Sequence, residues 1–118
     1  MTKIALIWAS NNPDKFWNKI LLDLVSKWYV VYPVNHKNKV ISWIKSFENI
    51  SDITESIDIV NFVVQSEVTL KILQKHKKFL INKQIWCQPG SSDKKVKDFL
   101  IKNHFMNYIL DDCIMLKR

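Results

Sequence analysis

A chain of 118 residues supplies one hydrophobic core and is too short for two, and 47% apolar residues argue for a globular domain over a disordered one. No apolar run approaches the roughly 18–20 residues that span a bilayer, and the chain passes directly into Lys3-Ile4-Ala5-Leu6-Ile7 without a signal-peptide pattern, so a cytoplasmic protein with no membrane partner is expected. The formal net charge of +7 invites an anionic partner, but 17 of the 18 basic residues are lysine in a chain rich in Ile and Asn, the pattern of AT-rich coding, and no basic stretch is interleaved with aromatics, which disfavours nucleic acid.

Lys3 to Trp8 is a continuous apolar run of the kind that forms a buried parallel strand. Residues 9–14 carry turn chemistry, with Pro13 suited to the start of a helix. Phe16, Ile20, Leu21, Leu24 and Val25 then fall on one helical face. Tyr29 to Tyr32 is a β-branched and aromatic strand that Pro33 is expected to stop. Val34 to Phe47 reads as loop with a short strand near Lys45–Phe47, and Asn49 to Glu55 as a polar connector with one helical turn. Asp58 to Val64 is a second buried strand, and Glu67 to Lys78 a helix with Val68, Ile72 and Leu73 inward. Gln84 to Gln88 is a strand, Pro89-Gly90 a turn, and Ser91 or Ser92 the expected cap of a helix that buries Val96, Phe99 and Leu100. Cys113 to Leu116 reads as a closing strand. Cys87 and Cys113 lie apart, with no Cys or His at ligand spacing, and are expected reduced and packed.

Alternating strands and helices specify one α/β domain over residues 1–118, a Rossmann-like three-layer fold with a mainly parallel sheet and right-handed crossovers. Ligands of such sheets bind beyond the carboxyl ends of the strands. The residues there are Trp8 to Asn12, Pro33 to Lys39, Val64 to Glu67 and Gln88 to Ser91.

Four pieces of sequence, in order, carry a resemblance. They are Trp8-Ala9-Ser10 with Asn11-Asn12-Pro13, Tyr32-Pro33-Val34-Asn35, Ile57-Asp58-Ile59-Val60 with Gln65-Ser66-Glu67, and Trp86-Cys87-Gln88-Pro89-Gly90, followed by Asp111-Asp112-Cys113. Over nearly its whole length the chain resembles the stand-alone CoA-binding proteins, relatives of the CoA-binding domain of the succinyl-CoA synthetase alpha subunit. His36 stands where that family has proline, and Trp8 where it has glycine. The resemblance implies CoA as ligand, with Ala9, Ser10 and Asn11 at phosphate, flanked by Trp8, Asn12 and, at the start of the first helix, Phe16 and Trp17. It implies Asn35, His36 and Lys37 near the adenosine and its 3′-phosphate, and Val64 and Gln65 along the nucleotide pocket. Backbone N–H groups at a helix start suit phosphate without a cation. NAD sites usually carry a carboxylate at the end of the second strand. This chain has Asn35, His36, Lys37 and Lys39 there, which suits a phosphorylated ribose, as in CoA or NADP, or else is a solvated loop.

Glycine is the anomaly. The chain has one, Gly90, where average usage of about 7% gives roughly eight. It has five tryptophans, and four of them, Trp8, Trp17, Trp28 and Trp43, stand where the family pattern has glycine or a small residue. Trp86 matches a family aromatic. Either the four are genuine and the pocket is filled, or they are glycines whose UGA codons have been read with the wrong genetic code. A left-handed position costs a non-glycine residue about 1–2 kcal/mol and overpacking about 1–3 kcal/mol per site. Four such sites would consume much of a stability of about 5–15 kcal/mol, which favours the second explanation.

No catalytic constellation is visible. His36, His76 and His104 are scattered, with His76 near an apolar helix face. No nucleophile elbow surrounds Ser10, so phosphate contact is its expected role. Asp111 and Asp112 are adjacent and, in a strand, would face opposite ways. Lys75, Lys77 and Lys78 fit a solvated helix end. Three readings follow: a non-catalytic module binding CoA or acyl-CoA, an NADP-type nucleotide-binding or redox-sensing domain, and an interaction subunit with a vestigial pocket. A homo-oligomer or a partner protein is compatible with each.

Overall fold

The computed structural model describes residues 2–8, 16–35, 40–41 and 44–117, without the side chains of Phe16, Trp17, Val40, Ile41, Ile44, Lys45 and Lys117. The elements run β1 (Lys3–Trp8), α1 (Phe16–Ser26), β2 (Val30–Val34), β3 (Val40–Ile41), β4 (Ile44–Lys45), a 3-10 turn (Ile50–Asp52), β5 (Ile59–Val63), α2 (Ser66–Lys75), α3 (Lys77–Leu80), β6 (Gln84–Cys87), α4 (Lys94–Lys102), β7 (Tyr108–Ile109) and α5 (Ile114–Lys117). Five strands form one sheet in the order β2-β1-β5-β6-β7, all parallel. The expected Rossmann-like α/β architecture is the one observed.

Strand alternation divides the apolar residues between two layers. Ile4, Leu6 and Trp8 of β1 face Ile20, Leu21 and Leu24 of α1 and Ile114 of α5. Ala5 and Ile7 face the other layer, where Leu73 of α2, Leu80 of α3 and Val96 and Leu100 of α4 close over Phe62, Ile85 and Cys87. Most of these side chains are fully buried, each worth about 1.5–3 kcal/mol relative to exposure. Lys27 pairs with Asp23 at 2.8 Å and donates to the Met115 carbonyl at 2.8 Å, which ties the end of α1 to α5.

Several expectations need correction. Pro33 does not stop the second strand: β2 runs through it to Val34. The Pro33 carbonyl accepts from Phe47 N at 2.8 Å, so its backbone faces away from β1, and the missing N–H costs no rung of the sheet. The short strand expected near Lys45–Phe47 is β4, paired antiparallel with β3, and Phe47 then bridges Val34. The helix expected from Glu67 to Lys78 breaks at His76 (φ −114°, ψ 28°) into α2 and α3. The cap of α4 is Asp93, which accepts from Val96 N at 2.9 Å, and neither Ser91 nor Ser92 takes that role. The closing strand is β7, and residues 114–117 are helical, a case where a short apolar run does not reveal its own period. Asp111 and Asp112 consequently lie beyond the strand, with Asp111 at φ 57°.

Candidate functional site

The chain goes from β1 through α1 to β2 on one side of β1, and later enters β5 on the other side. That reversal puts the topological switch point between the carboxyl ends of β1 and β5. Ile7 is in register with Val34 and Phe62, so Trp8, Asn35 and Val63 crown three neighbouring strands.

Asn35 organises the first side of this rim. Its side chain is 4% exposed and donates Nδ2–H to the Trp8 carbonyl at 3.1 Å, while its backbone N–H donates to the Phe47 carbonyl at 2.8 Å. The end of β2 is thereby fixed to the end of β1. The Trp8 indole is 2% exposed and lies in the layer with α1 and Trp86, so what Trp8 turns toward its neighbour strand is a carbonyl. On the far side, Val64 is buried and donates its N–H to Ser91 Oγ at 3.2 Å. Gln65 is exposed and precedes α2 as its N-cap residue, without a side-chain cap bond. Asp93, at the head of α4, is held below the usual carboxylate range chiefly by the Val96 N–H, with the Ser66 hydroxyl and Lys95 helping and burial opposing. The starts of α2 and α4 thus meet at the same rim.

Trp8, Asn35, Val64 and Gln65 are therefore brought to one end of the sheet. Ala9, Ser10, Asn11, Asn12, His36 and Lys37 lie outside the described residues. Phe16 and Trp17 open α1, without described side chains.

A buried polar cluster escaped the sequence reading. Asn61, fully buried in β5, donates Nδ2–H to Gln88 Oε1 at 3.2 Å and to the Trp86 carbonyl at 3.4 Å. Gln88 Oε1 also accepts from Ile114 N at 2.8 Å, and Trp86 Nε1 donates to the Asp112 carbonyl at 2.9 Å. Among the described residues, Asn61 Oδ1 and Gln88 Nε2 are buried without partners. The signal available was an asparagine inside Ile59-Val60-Asn61-Phe62, since an amide is costly in a buried strand unless something there bonds it.

Two other features do not belong to the rim. A shallow depression of about 440 Å³ lies between Gln74 and Phe79, where α2 ends and the chain turns back toward the start of β6. His76 there has its pKa lowered, first by burial and then by Lys75. The Cys87 thiol is pushed up to about 12 by burial, which keeps it protonated and unreactive at neutral pH. Cys87 and Cys113 are both free thiols, Cys87 packed in the core. Among the described residues no helix is long and apolar enough to cross a membrane.

Comparison with known proteins agrees with this fold. The family described as CoA binding domain matches residues 2–118. A conserved hypothetical protein from Pyrococcus furiosus is 34% identical, with 100% of each chain covered and a TM-score of 0.91. A hypothetical protein from Pyrococcus horikoshii is 24% identical over 98% of this chain and 80% of its own, with a TM-score of 0.86. A dinucleotide-forming acetyl-coenzyme A synthetase from Ca. Korarchaeum cryptofilum, solved with phosphate and ADP, shares the fold at 20% identity and a TM-score of 0.74, over 94% of this chain and 26% of its own.

Proposed function

The chain belongs to the CoA binding domain family, and from that premise we propose that it binds CoA or an acyl-CoA at the rim between β1 and β5, through the loop after β1 and the end of β2, without catalysing a reaction of its own. The observation that carries the reading is the reversal of strand order at β1, since α/β sheets take nucleotides at such a switch point. Asn35 supports it by holding the ends of β1 and β2 together, so that the two segments facing the ligand share one rigid base. The sequence after β2, Asn35-His36-Lys37, has no carboxylate for free ribose hydroxyls and two groups able to face a phosphorylated ribose. Catalysis would call on residues supplied by another chain.

Calorimetric titration with CoA, acetyl-CoA, NADP and NAD tests the reading. On the chain carrying glycine at 8, 17, 28 and 43, CoA and acetyl-CoA are expected to bind, with NAD silent. Binding of NADP with no response to CoA would replace it by the NADP-type alternative. Silence toward all four would leave the interaction subunit with a vestigial pocket.

A further inference from the structure

The end of α1 is a Schellman stop. Trp28 N donates to the Val25 carbonyl at 3.1 Å, and Tyr29 N donates to the Leu24 carbonyl at 3.1 Å. The residue at the turning point of this motif must be left-handed, and Trp28 has φ 69°. Glycine is the usual occupant because it has no Cβ to collide with the following carbonyl. A bulky aromatic at positive φ is a genuine outlier. Burial does not offset the strain, since Trp28 is 82% exposed.

The other positive-φ residues among those described show that Trp28 is the exception. His104 (φ 64°) and Asp111 (φ 57°) belong to types enriched in the left-handed region. Gly90 (φ 89°) is the third residue of a turn closed by Ser91 N donating to the Gln88 carbonyl at 2.9 Å, with Pro89 before it. A Cβ at Gly90 would meet nothing within 4 Å, so the backbone angle and not crowding requires glycine there. Trp86 provides the opposite control for Trp28. It is 2% exposed, and its Nε1 donates to Asp112 O, which is how a genuine core tryptophan is held.

We infer that Trp8, Trp17, Trp28 and Trp43 are glycines in the protein its own cell makes, encoded by UGA codons which that cell reads as glycine, and that Trp86 alone is tryptophan, encoded by UGG. One cause then accounts for two unrelated facts: a chain of this length with one glycine and five tryptophans, and an exposed indole on a left-handed backbone. It also bears on the rim. Position 8 ends β1 at the switch point, on the face that carries Asn61 and, beyond it, Trp86. Hydrogen in place of the indole removes the side chain that position 8 contributes to the layer packed on α1.

The sequence makes the test direct, because cleavage after lysine puts each of the five positions on its own peptide. These are 4–15, 16–19, 28–37, 40–45 and 84–94. Mass spectrometry of the protein isolated from its source cells should find the first four lighter by the difference between an indole side chain and hydrogen, and the fifth at the tryptophan mass. An indole retained on any of the first four overturns the inference, as does a UGG codon at any of those positions. Ligand binding does not enter this measurement, so a protein with glycine at all four positions that ignored CoA would sink the proposed function and leave the inference standing.

Discussion

The crossovers β1–α1–β2 and β6–α4–β7 end their helices in the same way and differ in the residue that bears the turn. After α1, the Trp28 and Tyr29 amides donate back to Val25 and Leu24. After α4, His104 N donates to the Ile101 carbonyl at 3.2 Å and Phe105 N to the Leu100 carbonyl at 2.9 Å. In each case the next residue anchors the motif. Tyr29 packs in the layer with Leu24, and Phe105 is 4% exposed with its ring 6.1 Å from that of Phe99. The core dictates where the chain must go after the helix, and the turning residue takes a positive φ whether or not its side chain suits it. Histidine tolerates the demand and tryptophan does not, so the comparison separates what the fold requires from what the residue contributes.

The largest effect expected from breaking this comparison is at the tryptophan that belongs. Trp86→Ala removes a buried ring and the donor to the Asp112 carbonyl, and should cost about 3–5 kcal/mol in urea unfolding. A loss below about 1 kcal/mol would show that Trp86 is no better fitted than the indoles of the first crossover. Next is ligand binding. The chain with glycine at 8, 17, 28 and 43 should gain about 2.7 kcal/mol of stability at a CoA concentration a hundred times its Kd, read as a thermal shift, while the tryptophan chain shows none. Equal shifts would show that the indoles leave the mouth open.

At the helix stops themselves, Trp28→Gly should stabilise by about 1–2 kcal/mol, and Trp28→Ala should do almost nothing, since alanine keeps the offending Cβ. His104→Gly should gain less than Trp28→Gly by roughly 0.6–1 kcal/mol, the equivalent of a several-fold preference for the left-handed region. If the two glycine substitutions gained equally, the fit of histidine to its turn would be no better than that of tryptophan.

The same contrast explains what could be read in the sequence. β1 was legible to the residue because six consecutive positions in a central parallel strand are apolar or screened. The inward residues of α1 and α4 were legible from spacing. Pro33 misled because its effect depends on which side of the strand its nitrogen faces, and only the position of Phe47 reveals that. Residues 114–117 misled because Ile-Met-Leu-Lys is too short to show a period, and the Gln88 Oε1 that accepts from Ile114 N at the start of this helix comes from 26 residues earlier in the chain. At the rim, motif order located Trp8, Asn35, Val64 and Gln65, whereas the Asn61–Gln88 pair depends on β5 and β6 lying side by side. Left-handed backbone at residue 28 is a local property of the Schellman stop, so the end of α1 itself carries the signal.

The smallest expected effect lies at the other end of α4, where Asp93 accepts the Val96 N–H. Its pKa is lowered from 3.8, mainly by that bond, so the folded state favours the carboxylate more than the unfolded state does. The stabilisation is therefore present above the unfolded pKa and is lost as pH falls through the lower folded value. Asp93 is exposed, so solvent screens the charge and the contribution is modest. Asn is an equally good N-cap acceptor without a charge to titrate. Urea midpoints of wild type and Asp93→Asn should differ most near neutral pH, with wild type the more stable, and converge in the acid limb. A constant gap across that range would mean the carboxylate caps α4 by shape alone. The helix start would then resemble the His104 stop, where backbone geometry and not charge sets the end of the helix.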